Sequence, residues 1–196
     1  MTASLANPRA SLARKTVFFV ILAGLGGAFG YGVSTLVDGY VIAWEDELAV
    51  LMATILIATG VISAFVVATR PTTVPRGCGV LQAVVMTLAG ILFLLPVFGP
   101  EWVSATMVFG IVLVLLAVQT VANLMLWRAA DEMLRRIMAE TSAIAFWALQ
   151  MALFVYAAAE RLGLVETITG WGLMGILMGV YFISSIVASA RRGIIA

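Results

Sequence analysis

Six stretches of this chain contain no Asp, Glu, Lys or Arg: residues 16–37, 48–69, 79–98, 102–127, 141–159 and 168–190. A helix crosses the hydrocarbon core of a bilayer in about 20 residues, and each stretch is near that length. The apolar positions are continuous rather than alternating, which disfavours spanning strands. Breakers fall between the runs: Arg70-Pro71 and Pro75-Arg76-Gly77 after the second, Gly99-Pro100 after the third, Gly163 after the fifth. Pro96 lies inside the third run near its end, where a kink or early unwinding is expected. The pattern predicts an all-α, polytopic bundle of six transmembrane helices over residues 16–190, with short segments 1–15 and 191–196 outside it.

The positive charges give this bundle a direction. Arg9, Arg14, Lys15, Arg70, Arg76, Arg128, Arg135, Arg136, Arg191 and Arg192 fall on one side of the six spans, and only Arg161 on the other. A bias of ten to one predicts that both termini are cytoplasmic. The opposite side collects Asp38, Glu45, Asp46, Glu47, Glu101, Glu160 and Glu166. Trp44, Trp102 and Trp171 stand near that side and Trp127 near the cytoplasmic one, as interfacial belts require. The first run follows a positive segment, as a secretory signal does. It is longer than a usual signal core, however, and no clear A-x-A site follows, so it is expected to remain as the first helix.

One connection is itself patterned. "WRAADEMLRRIMAETSAIAFW", residues 127–147, carries six formal charges between Arg128 and Glu140. At about 100° per residue, Asp131, Glu132, Arg135, Arg136 and Glu140 fill one half of a helix. Met133, Leu134, Ile137 and Met138 fill the other. A turn at Arg128-Ala129-Ala130 with Asp131 as N-cap would start the fifth helix two to three turns before it enters the bilayer. Three acid–base pairs at i,i+4 are expected along it: Asp131 with Arg135, Glu132 with Arg136, and Arg136 with Glu140. The apolar half either packs on the protein's own bundle or forms a cytoplasmic docking face for a partner.

Composition narrows the function by exclusion. The 196 residues are 63% hydrophobic and 11% charged, with mean hydropathy +1.14. Soluble domains average roughly 45–50% apolar and about 25% charged. The partner implied is the lipid bilayer, and a net charge of +1 gives no case for nucleic acid. The chain has no histidine and a single cysteine, Cys78, which removes histidine-based nucleophile pairs, histidine-ligated metals and internal disulfides. Asp38, Glu45, Asp46 and Glu47 cluster in one connection, but their spacing fits no EF-hand, and acidic capping of the second helix explains Glu45 to Glu47. "GLGGAFG" lies inside an apolar run without a preceding strand and is no phosphate loop. No catalytic, cofactor-binding or metal-ligating residue emerges, and the protein is expected to be non-enzymatic. The three outward-to-inward helices share a faint plan, a flanking Glu, a mid-helix Gly and a terminal Arg, which alternating flank charge largely explains.

Two features within the runs could do more than fill space. Small residues recur at four-residue spacing, Gly26 with Gly30 in the first run and Gly175 with Gly179 in the last, which lets helix backbones approach closely. They read as a packing surface, with the first helix against the sixth a natural pairing, within one chain or between two. Amides are the strongly polar groups of the apolar runs. Gln119 and Asn123 lie four apart in the fourth run, and Gln150 in the fifth falls at a depth similar to Gln119. They read as interhelical hydrogen-bonding groups or as a polar cluster for a small solute.

The segments "WRAADEMLRRIMAETSAIAFWALQMALFVYAAAERLGL" and "YFISSIVASARRG" resemble a group of small, uncharacterised bacterial inner-membrane proteins over residues 127–193. Asp131-Glu132, Arg135-Arg136, Glu140, residues 157–163 and the Tyr181 helix carry the resemblance. It implies a bacterial inner membrane and transfers no catalytic residue. The sequence reading is thus a six-helix inner-membrane protein with a structural or interaction role, in a homo-oligomer or with a membrane-protein partner. Its rival is a small-solute binder or carrier, comparable in size and helix count to the substrate-binding subunits of energy-coupling-factor vitamin transporters.

Overall fold

Five of the apolar runs are long helices in the structure, a computed structural model that describes residues 43–69 and 76–192, with Tyr31 and Thr35. They are α1 (Trp44–Thr69), α2 (Arg76–Phe98), α3 (Ala105–Ala129), α4 (Glu132–Arg161) and α5 (Gly170–Arg191), with a 3₁₀ turn at Gly99–Glu101. All five are long and apolar enough to cross a membrane, and among the described residues there is no strand. The chain is a multi-pass helical membrane protein. The helices belong to one unit, Ile42–Ile195; of the other, Met1–Val41 with Ala196, only Tyr31 and Thr35 are described, both helical. The first expected span, residues 16–37, with Gly26 and Gly30, therefore lies outside the described residues.

Local chemistry sets the helix ends. α2 runs through Pro96 and tightens into the 3₁₀ turn, where Trp102 N–H donates to the Gly99 carbonyl at 3.0 Å. The fourth run thus starts its helix at Ala105, three residues later than its first apolar residue, because Ser104 caps it and accepts from Met107 N–H. α4 ends in a Schellman motif. Gly163 takes φ +71°, its N–H donates to Glu160 O, and Leu164 N–H donates to Ala159 O at 2.9 Å. Only glycine adopts that backbone at little cost. Tyr156 Oη then accepts from Ile168 N–H at 2.7 Å and pins the loop that follows.

The helices adjoin in the order α3, α2, α1, α5, α4. α1 and α2 form the tightest hairpin. A Cβ on Gly90 would fall 2.8 Å from the Ala53 carbonyl oxygen, and one on Gly60 3.0 Å from that of Ala83. Inside hydrocarbon such backbone approach replaces the hydrophobic effect as the source of cohesion, through van der Waals contact. Around it Ala49, Ala53, Leu56, Ala89 and Phe93 make one buried cluster.

The small-residue face of α5 lies on α1. A Cβ on Gly175 would meet Leu48 at 2.8 Å, and one on Gly179 would lie 4.0 Å from Met52 Sδ. Gly172 continues the face against Trp44 and Glu45. Among the described residues, the glycine face of the last helix therefore meets α1, which offers one residue per turn (Trp44, Leu48, Met52) to it. The same corner is tied by polar contacts. Trp171 Nε1–H donates to Asp46 Oδ1 at 3.1 Å, its ring packs tilted at 47° against Phe93 with centroids 5.7 Å apart, and Thr169 Oγ1–H donates to Glu45 Oε1 at 3.2 Å. The acidic first turn of α1 thus serves its own helix dipole and also receives α5.

Candidate functional site

The charged connection folds around a two-residue joint. α3 stops at Ala129, Ala130 is its C-cap, and Asp131 caps α4 by accepting from Leu134 N–H at 2.7 Å. α4 then runs for 30 residues, about 45 Å, longer than the roughly 30 Å hydrocarbon core. Of the three expected i,i+4 pairs one forms: Arg136 to Glu132, at 2.6 Å. Asp131 is occupied as a cap, so Arg135 turns back over the joint. Its Nε–H donates to Ala130 O at 2.9 Å, satisfying a carbonyl that the end of α3 leaves open. Glu140 pairs across the bundle, accepting from Arg192 at 2.8 and 3.1 Å and lying 3.8 Å from Arg191. That cross-link fastens the end of α5 to the third turn of α4. Local spacing could not reveal it, because the partners are 52 residues apart.

The apolar half of this extension is mostly covered by the protein itself. Leu134 and Met138 pack against the buried cluster of Cys78, Val85, Ala122, Leu126 and Ala130. Ile137 is 7% exposed, whereas Met133 is 47% exposed. Of the four candidate docking residues, Met133 alone is freely presented.

The three amides are not gathered into one cluster. Gln119 is buried on α3, and its Nε2–H donates to the Val85 carbonyl of α2 at 3.0 Å. Asn123 and Gln150 are exposed on the outer faces of α3 and α4. The reason is topological: α3 and α4 are consecutive and meet at the joint, yet they do not pack along their lengths. An amide that enters hydrocarbon without a hydrogen bond costs about 4–8 kcal/mol on the water-to-cyclohexane scale. Gln150 stands in the middle of the apolar run 141–159.

Among the described residues, two buried oxygens lack partners, Gln119 Oε1 and Thr141 Oγ1. Gln119 lies eleven residues before Ala130, and Thr141 lies ten after Asp131, so both stand at comparable distance above the joint. Thr141 is 1% exposed and is the largest fully buried side chain among the described residues. It was legible only as a hydroxyl on the helical face of Leu134, Ile137 and Met138, a mark too slight to single out. The chemistry these atoms can do is limited: they accept hydrogen bonds, and Thr141 can donate one. Elsewhere, a groove of about 680 Å³ lies between α1 and α2, lined by Gly60, Ala64, Ala83 and other apolar residues with Thr87 as its one hydroxyl. It offers nothing that would orient a polar solute. Among the described residues, no group of three or more His, Cys, Asp or Glu is placed to hold a metal ion. Searches of family models, curated proteins and solved structures find no match to this chain.

Proposed function

We propose that this chain is a six-span integral protein of a bacterial inner membrane, both termini cytoplasmic, whose role rests on association within the membrane and not on catalysis. The observation that carries this reading is the unevenness of burial. In the apolar windows of α1 and α2, 28% of residues are buried, against 11% in α3 and 6% in α4. Two of the five described helices thus turn most of their surface outward, and on each an amide stands on that surface. Polar groups inside membranes ordinarily face protein. Residues 16–37 supply the sixth span in this reading, the Lys/Arg asymmetry supplies its orientation, and the resemblance over residues 127–193 supports the bacterial inner membrane. Fusing a reporter active only in the periplasm to residue 196 should give no signal. A strong signal would overturn the topology.

A second reading, a small-solute binder, is favoured by the unpartnered Gln119 Oε1 and Thr141 Oγ1. Native mass spectrometry of the protein in mild detergent separates the two. Association predicts complexes with protein and a ligand-free subunit. A small molecule retained stoichiometrically, and lost in a Gln119→Leu/Thr141→Val variant, would favour the binder.

A further inference from the structure

We propose that the outer face of α4 around Gln150 is a parallel, two-fold contact with a second copy of this chain. The inference rests on reading α4 as a membrane span. Gln150 stands nine residues from either end of the run 141–159, which places it near the bilayer midplane. It is exposed and makes no hydrogen bond among the described residues. Lipid chains cannot satisfy it, water is absent at that depth, and the long route to either interface prevents snorkelling.

The surroundings of Gln150 have the form of a helix–helix seam. Ala143, Trp147, Gln150, Phe154 and Ala157 follow one another at spacings of four, three, four and three residues, and all five are exposed. That is the heptad spacing that keeps one stripe of a helix facing a parallel partner. Ala143 and Ala157 leave the backbones room to close on either side of the amide, while Trp147 and Phe154, 64% and 76% exposed, supply contact area.

The occupant follows from symmetry and from amide chemistry. Every copy is inserted in the same orientation, so a two-fold axis must run along the membrane normal. Such an axis sets α4 parallel to its mate and each residue at the depth of its equivalent. Gln150 then meets Gln150. A carboxylate or an ammonium would repel its twin, but an amide is donor and acceptor at once. Each Nε2–H can donate to the other copy's Oε1. A single polar residue in an apolar seam also fixes register, since any axial shift separates the two amides.

The test uses the full chain in native membranes, with Cys78→Ser to remove the one cysteine. Gln150→Cys should form a covalent dimer under mild oxidation. Val155→Cys, exposed about 8 Å further along α4 and about 140° round it, should not. In detergent, Gln150→Leu should weaken dimerisation about tenfold with its thermal unfolding unchanged, and Gln150→Asn should retain the dimer. A wild-type monomer, or equal cross-linking at positions 150 and 155, would overturn the proposal, whether the face meets lipid or residues 16–37 of its own chain. Alkaline carbonate extraction tells the two failures apart. Protein that stays in the membrane but is monomeric refutes the dimer alone, and protein that is extracted refutes the transmembrane reading beneath it.

Discussion

Replacing Gly90 with leucine should loosen the α1/α2 hairpin and lower the thermal midpoint in detergent by about 5–10 °C, or prevent recovery of folded protein. A Cβ at this position would lie 2.5 Å from Ile57 Cγ1 and 2.8 Å from the Ala53 carbonyl oxygen. Ile57 could rotate away. The carbonyl belongs to the backbone of α1 and cannot move without the helix. Overpacking of this kind costs roughly 1–3 kcal/mol when the structure can yield, and each kcal/mol is about 2–4 °C for a chain of this length. Leucine adds three further carbons to the clash, so the upper end applies. Gly110→Leu is the control, since a Cβ at Gly110 meets nothing within 4 Å and α3 is apolar and outward-facing there. Its midpoint should move by no more than about 2 °C, helped by leucine's better helix propensity. Scanning fluorimetry on the five tryptophans would measure both. Equal losses would mean that the hairpin is not held by close backbone approach.

The contrast shows which parts of this fold could be read from the chain. Length and continuity of apolar runs marked the five described helices, because a membrane span needs little beyond both. The same continuity hides which faces pack. In a soluble helix, polar residues label the outside; α1 to α3 are apolar all round, and the only labels left are small residues. Spacing drew attention to Gly175 and Gly179, which do lie against a neighbour, on α1. Gly60 and Gly90 each stand without a glycine four residues away, and it is the facing helix that makes them a pair. The amides followed the same rule. Helical depth could be counted, but whether α3 and α4 pack along their lengths is decided by α2, α1 and α5 between them. The charged connection was more legible because its signals are local. Asp131 is a cap by sequence and by structure. The partners of Arg135 and Glu140 were not legible, since one is a backbone carbonyl beyond the joint and the other a helix 52 residues away.

That connection also yields the second large effect. Ile137→Ser should destabilise the bundle by about 2–5 kcal/mol, while Met133→Ser should stay within about 0.5 kcal/mol of wild type. Both residues lie on the apolar half of the same two turns. They differ in what covers them: Ile137 is 7% exposed and Met133 47%. Neighbouring Leu134 and Met138 lock these turns onto the cluster of Cys78, Val85, Ala122, Leu126 and Ala130. Serine at position 137 leaves a cavity there and buries a hydroxyl without an assured partner. The damage should spread to the joint, since the face that holds α4 on α2 and α3 is the one being cut. Thermal unfolding in detergent gives the size of the effect, and hydrogen exchange of amides 132–140 gives its place. In Ile137→Ser those amides should exchange faster than those of α1; in Met133→Ser they should keep their protection. The docking-face reading demands the opposite pattern: both variants would stay folded, and both would release a protein that co-purifies with wild type. If Ile137→Ser unfolds as wild type does but loses such a partner, the face serves another protein, and the packing described for these turns is not what holds them.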